Sequence, residues 1–182
     1  MIPNMNLSEA RSEGIDAGGY IMRIRKAEID PKYNRLRLYL DIAEGPKTGY
    51  YEKLNERVGF WAMVLNLYLD KESAWKFARC IDAIKASNAG FEWNDDGEND
   101  EQKLVGMHIG IVTRKIEYLG NDGLTKKKLT PYQTLPVNDI REGNYTVPDA
   151  LPMKTTPNSA PVAGVVDTTS NFGPVKDEDI PF

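Results

Sequence analysis

Arg35-Leu36-Arg37-Leu38-Tyr39-Leu40-Asp41-Ile42 decides the fold. Leu36, Leu38, Leu40 and Ile42 fall on one side of an extended chain; Arg35, Arg37, Tyr39 and Asp41 fall on the other. Side chains alternate across a strand, so strict period two over these residues predicts a half-buried antiparallel β-strand. Working back, Asp30-Pro31-Lys32-Tyr33-Asn34 is built from turn-forming residues. Before it, Tyr20 to Glu28 alternates as well, with Tyr20, Met22 and Ile24 against Ile21, Arg23 and Arg25. The two strands form a hairpin, and its polar face is expected to carry Arg23, Arg25, Arg35, Arg37 and Tyr39.

Working forward, Glu44-Gly45-Pro46-Lys47 closes the pair, and a third strand is expected near Gly49 to Leu54. Val58 to Leu69 is apolar without clean alternation. Asp70 to Ser87 reads as a helix, with Asp70 as N-cap and Ala74, Phe77, Ala78, Ile81 and Ile84 at helical spacing. Asn88 to Gly90 stops it. After the acidic stretch Trp93 to Glu101, a strand is expected over His108 to Leu119. Gly120-Asn121-Asp122-Gly123 makes a hairpin turn, and a last strand runs from about Lys127 to Val137, irregular at Pro131. The order is three strands, one helix, two strands. That is the element order of an OB-fold: a mainly β, five-stranded barrel with one helix between strands three and four.

Charge sorts along the chain. The formal net charge is −4, from 23 Lys and Arg against 27 Asp and Glu. Setting aside Glu92 to Glu101 and everything from Pro148 onward leaves 21 basic residues against 16 acidic ones. A mildly basic body with acidic outliers is compatible with phosphate binding. In single-strand binding, cations track phosphates and π-faces stack on bases, at ~1–3 kcal/mol per base. The candidates for such contacts are Arg23, Arg25, Arg35, Arg37, Tyr39, Arg114, Lys115, Tyr118, Lys126, Lys127, Lys128 and Tyr132. The three tryptophans, Trp61, Trp75 and Trp93, are expected to pack.

No catalytic constellation can be assembled, so no enzyme, cofactor or metal is expected. His108 is the one histidine, inside an expected strand, and Cys80 the one cysteine, on a largely apolar helix. One thiol permits no intramolecular disulfide and suggests a reducing compartment. Aligning Gly97 with the invariant glycine of a calcium-binding loop puts Lys103 where a bidentate glutamate is required, and the signature fails. Phosphate-cradling and nucleophile-elbow motifs are absent. Residues 1–14 lack the apolar core of a signal peptide, and no apolar run approaches the ~20 residues of a membrane span. The expectation is a cytoplasmic protein.

Four regions are expected: a flexible arm over 1–17, a nucleic-acid-binding body over 18–147, a flexible linker over 148–176, and an acidic tip over 177–182. The linker is rich in Pro, Thr, Ser, Ala, Gly and Val. The tip is Asp177-Glu178-Asp179-Ile180-Pro181-Phe182. Phe182 suits an apolar pocket, basic groups can clamp its carboxylate and the preceding acids, and Pro181 lowers the entropy lost on docking. The tip resembles the tail of bacterial single-stranded DNA-binding proteins, an acidic run ending in Ile-Pro-Phe. Size and tail together look like a phage-encoded protein of that kind. The resemblance implies coating of single-stranded DNA inside a bacterial host cell, and recruitment of replication, recombination and repair proteins through the tip. It leaves homo-oligomerisation open. Two rival readings stand beside it: a metal-dependent nuclease carrying the same tip, and an adaptor that binds proteins but no DNA.

Overall fold

A computed structural model describes residues 14–95 and 97–153. The acidic tip, almost all of the expected linker and most of the expected arm lie outside these residues. The architecture is mainly β: five strands in one antiparallel sheet, with few helices. The strands are β1 (Gly19–Asp30), β2 (Arg35–Ile42), β3 (Val64–Tyr68), β4 (His108–Leu119) and β5 (Thr125–Leu135). Their order across the sheet is β3-β2-β1-β4-β5. The outer strands β3 and β5 share no ladder, yet they approach until Cα atoms lie within 8 Å. The sheet therefore curls around its apolar face. Met22, Ile24, Leu36, Leu38, Leu40, Ile109 and Ile111 fill the interior.

β2 forms as its alternation demands, with Leu36, Leu38 and Leu40 buried and Arg35, Arg37 and Tyr39 facing outward. β1 departs from its apparent pattern. The ladder with β2 shifts between Ile24 and Lys26, leaving Arg25 unpaired in a bulge. A bulge sets two residues against one and resets the alternation. Beyond it Ala27 points inward and Lys26 outward, so Lys26, Glu28 and Asp30 face Tyr39, Arg37 and Arg35.

The strand expected over Gly49 to Leu54 is instead the start of a helix, α1 (Tyr50–Val58). Asp41 supplies the reason. Its buried carboxylate accepts from the backbone N–H groups of Ile42 at 2.9 Å, Tyr51 at 2.8 Å and Glu52 at 3.4 Å. Two of those are first-turn donors that a helix leaves unsatisfied. The third strand is Val64–Tyr68, with Leu65 and Leu67 buried.

The second helix, α2 (Ala74–Ser87), begins later than expected. Asp70 caps the preceding turn, accepting from Ser73 N–H at 2.7 Å. Cys80, Ile81, Ala83 and Ile84 face the core. Burial pushes the Cys80 thiol up to about 12, so it is an inert packing group. Asn88 fastens the helix end to β4: its amide nitrogen donates to the carbonyls of Ile84 and His108, and its oxygen accepts from His108 N–H, each at 2.8 Å.

After β5, whose ladder with β4 is irregular between the Thr113–Pro131 and Val112–Gln133 pairs, a short helix α3 (Val137–Glu142) crosses the sheet. It packs so closely on Gly110 that a side chain there would collide with Ile140. The folded body then passes the expected boundary at 147. Leu151 lies parallel to Ile116, donating to Lys115 C=O at 2.9 Å and accepting from Glu117 N–H at 3.0 Å. At the other end Ile15 packs against the core, and Asp16 pairs with Lys115 at 2.6 Å, so contacts begin inside the expected arm.

Candidate functional site

Arg35, Arg37 and Tyr39 are held side by side on the outer face of β2 because their neighbours Leu36, Leu38 and Leu40 are locked in the core. The flanking strands complete the surface. β3 places Tyr68 opposite Arg35 and Asn66 opposite Arg37. β1 contributes Lys26, Glu28 and Asp30. The β1–β2 turn adds Tyr33, whose ring lies under Arg35 at 4.7 Å and under Lys32 at 5.0 Å. Tyr39 is likewise covered by Arg37 at 5.1 Å and Lys26 at 5.0 Å, with Trp61 edge-on at 6.3 Å.

The cations on this face are paired. Arg35 meets Asp30 at 3.1 Å, and Arg37 meets Glu28 at 3.2 Å. Glu28 is the hub, since it also takes Lys26 at 2.5 Å and accepts from the Tyr39 hydroxyl. The Lys26 and Tyr39 hydrogen bonds hold the Glu28 carboxyl below the usual carboxylate range. Partial burial, reinforced by the bond to Glu28, pushes the Tyr39 phenol up to about 12. Arg35–Asp30 is the more sheltered pair, whereas the pairs around Glu28 are partly solvated. Surface pairs are worth ~0–1 kcal/mol, so an incoming phosphate can exchange for Glu28 at little cost. The same holds for the rings: an exposed cation–π contact gives ~0.5–1 kcal/mol, less than a base can return by stacking.

Arg23 keeps its expected outward side, opposite Asp41, but it and the bulged Arg25 sit apart from the Arg35, Arg37 and Tyr39 cluster. They line a polar cavity of about 190 Å³ with Asp41, Thr48, Glu52 and His108, where Arg25 pairs with Glu52 of α1. The bulge turns Arg25 away, and α1 is there to receive it.

The remaining candidates sit on the β4–β5 ribbon, divided between its faces. Arg114, Tyr118, Lys126 and Lys128 share one face, while Lys115 and Lys127 take the other. Lys128 lies over Tyr118 at 5.6 Å. Lys126 pairs with Asp122 at 2.8 Å, and Lys127 with Glu117 at 3.4 Å. Arg114 is only 8% exposed, and its guanidinium lies over Tyr132 at 4.8 Å. Tyr132 reaches the β2–β3 surface: it and Asn66 line one cleft at the β3–β5 seam. A track thus runs Tyr39, Arg37, Asn66, Tyr132, Arg114 across four strands.

Among the described residues, the buried side-chain polar atoms without a hydrogen-bond partner are Arg37 Nε, Asn66 Oδ1 and Arg114 Nε. Each such atom costs roughly 1–3 kcal/mol. All three lie on this track.

Lys26, Tyr33, Asn66 and Tyr68 were not among the sequence candidates. The bulge hid Lys26, and the missing outline of β3 hid Asn66 and Tyr68. Of the tryptophans, Trp61 packs and donates to Leu40 C=O at 2.9 Å, and Trp93 stacks beside Phe91. Trp75 does not pack as expected; it is 52% exposed near the start of α2. Among the described residues, no cluster of three or more His, Cys, Asp or Glu side chains is placed to hold a metal ion. Nor is any helix among them long and apolar enough to cross a membrane. No protein-family model matches the chain, and no curated protein matches its sequence.

Proposed function

We propose that this protein is a non-catalytic binder of single-stranded DNA, similar to phage-encoded single-stranded DNA-binding proteins, with its sheet acting as an OB-fold barrel. One observation carries the reading: Arg35, Arg37 and Tyr39 stand in a row on the outer face of β2, and the aromatic and amide groups of β3 extend that surface. An OB-fold binds oligonucleotides on its strand two–three face and on the loops joining strands one–two and four–five. The corresponding surface here carries Arg35, Arg37, Tyr39, Asn66 and Tyr68, with Tyr33 in the first loop. The strand order centred on β1, and the approach of β3 to β5, support the barrel. The tip Asp177 to Phe182 is proposed to recruit replication, recombination and repair proteins, on its resemblance to the tails of the bacterial proteins.

The deciding experiment incubates the full chain with labelled single-stranded oligonucleotide and magnesium, then resolves the mixture on a native gel. Shifted, intact DNA is the expected result. Cleaved DNA would favour the nuclease reading, and unshifted DNA the adaptor. For the tip, a pull-down with wild type, Phe182→Ala and a deletion of Asp177 to Phe182 should lose partners in both variants while DNA binding persists. Identical partner sets from all three would remove the tip from the proposal.

A further inference from the structure

The edge strands β3 and β5 face each other without a ladder, and α2 closes the gap between them. The resulting cleft is unlike the rest of the surface. Two residues with side-chain amides, Asn66 from β3 and Gln133 from β5, line it. Two aromatic rings flank it, Tyr132 from β5 and the half-exposed Trp75 from α2, and Arg79 stands one helical turn from Trp75. Asn66 Oδ1 is buried and without a partner, as is Nε of Arg37, directly across the ladder. Opposed residues on paired strands lie ~5 Å apart. A strand lying on Arg37 and Tyr39 therefore needs one nucleotide step to reach the cleft.

We propose that this cleft takes one nucleobase of the bound strand, an inference that rests on the single-strand-binding reading above. The amides of Asn66 and Gln133 each offer a donor and an acceptor, the pair that a base edge requires. Tyr132 and Trp75 supply ring surface for stacking, and Arg79 meets the adjoining phosphate. The track on β2 then grips backbone and bases in general, whereas the seam discriminates between bases. An extended peptide would engage the open strand edges but would leave the amides, the tryptophan and Arg79 without a common purpose.

The test titrates the full chain with equal-length oligomers of dA, dC and dT and with an abasic phosphodiester of the same length, following tryptophan emission. Wild type should prefer one base, with quenching that disappears in Trp75→Phe. Asn66→Ala should weaken the preferred oligomer roughly ten-fold and flatten the preference. Arg79→Ala, at an exposed position, should lower the salt slope by ~0.7 while leaving the melting curve unchanged. It carries the test if Asn66→Ala fails to fold. If Trp75→Phe and Arg79→Ala both bind as wild type does, while Arg35→Ala with Arg37→Ala loses binding, the cleft is not a subsite and the proposed function stands. If no form binds any oligomer, the proposed function itself falls.

Discussion

The two hairpins of the sheet use similar residues in opposite ways. In β1–β2, Arg35 and Arg37 each have an acid across the ladder, Lys26 has one two residues along its own strand, and both strands have a second neighbour. In β4–β5, the ribbon runs on past the last residues paired with β1; at its tip Leu124 is 64% exposed, Leu119 is exposed too, and Lys126, Lys127 and Lys128 are exposed even where they meet Asp122, Glu117 and the Tyr118 ring. The first surface is prearranged by the core beneath it. The second is a ribbon held by one ladder, and its charges are set by the strand sequence alone. Prearranged groups lose little entropy on binding, whereas an exposed ribbon contributes mainly long-range attraction.

The contrast should break most visibly in stability. Leu38→Ala, beneath the β2 face, should cost roughly 2–5 kcal/mol, whereas Leu124→Ala at the ribbon tip should stay within about 0.5 kcal/mol. Urea melts of both variants would measure this. Equal losses would mean that the ribbon is part of the core.

Binding sharpens the comparison next. Arg35→Ala with Arg37→Ala should weaken single-strand binding more than Lys126→Ala with Lys128→Ala. Both pairs should shrink the slope of log affinity against log salt, by ~0.7 for each phosphate that is no longer neutralised. Neither should change the fold. Titration of a pyrimidine oligomer at several salt concentrations separates them, and a larger effect from the lysine pair would reverse the assignment of roles.

The smallest effect concerns Glu28, whose carboxyl is held below the usual range by Lys26 and Tyr39. A depressed carboxylate contributes stability that is present above its unfolded pKa and is lost as pH falls through its folded pKa. Glu28→Gln should therefore show a shallower loss of melting temperature below about pH 4. The variant should also bind strands slightly more tightly, since it frees Lys26 and Arg37 from a competitor. Unchanged acid melting would place the interaction energy elsewhere.

How much was legible follows the same division. β2 could be read residue by residue because its inward positions are all aliphatic and its outward ones all polar or aromatic. Arg35, Arg37 and Tyr39 came with it. β1 reads as continuous alternation up to Arg25, but a bulge depends on the partner strand and leaves no mark in composition. Arg23 and Arg25 were therefore assigned to a face that they share only in part. α1 was hidden because its capping acid, Asp41, belongs to the preceding strand. β3 was obscured because Val64 and Tyr68 face outward yet are themselves apolar or aromatic, which blurs the period. Arg114 looked like a surface cation because burial beside Tyr132 depends on which strands meet at the seam.

The pairing of Leu151 with the free edge of β4 bears on how the protein can be cut. Over Lys115 to Glu117 that edge has no β1 neighbour, and Leu151 satisfies one donor and one acceptor there. A fragment ending at 147, where composition places the boundary, would present those peptide groups to any passing chain, and unpaired edges invite strand addition. A fragment ending after Met153 would keep the guard in place. The shorter piece should self-associate on a sizing column more than the longer one, although the two have the same sheet.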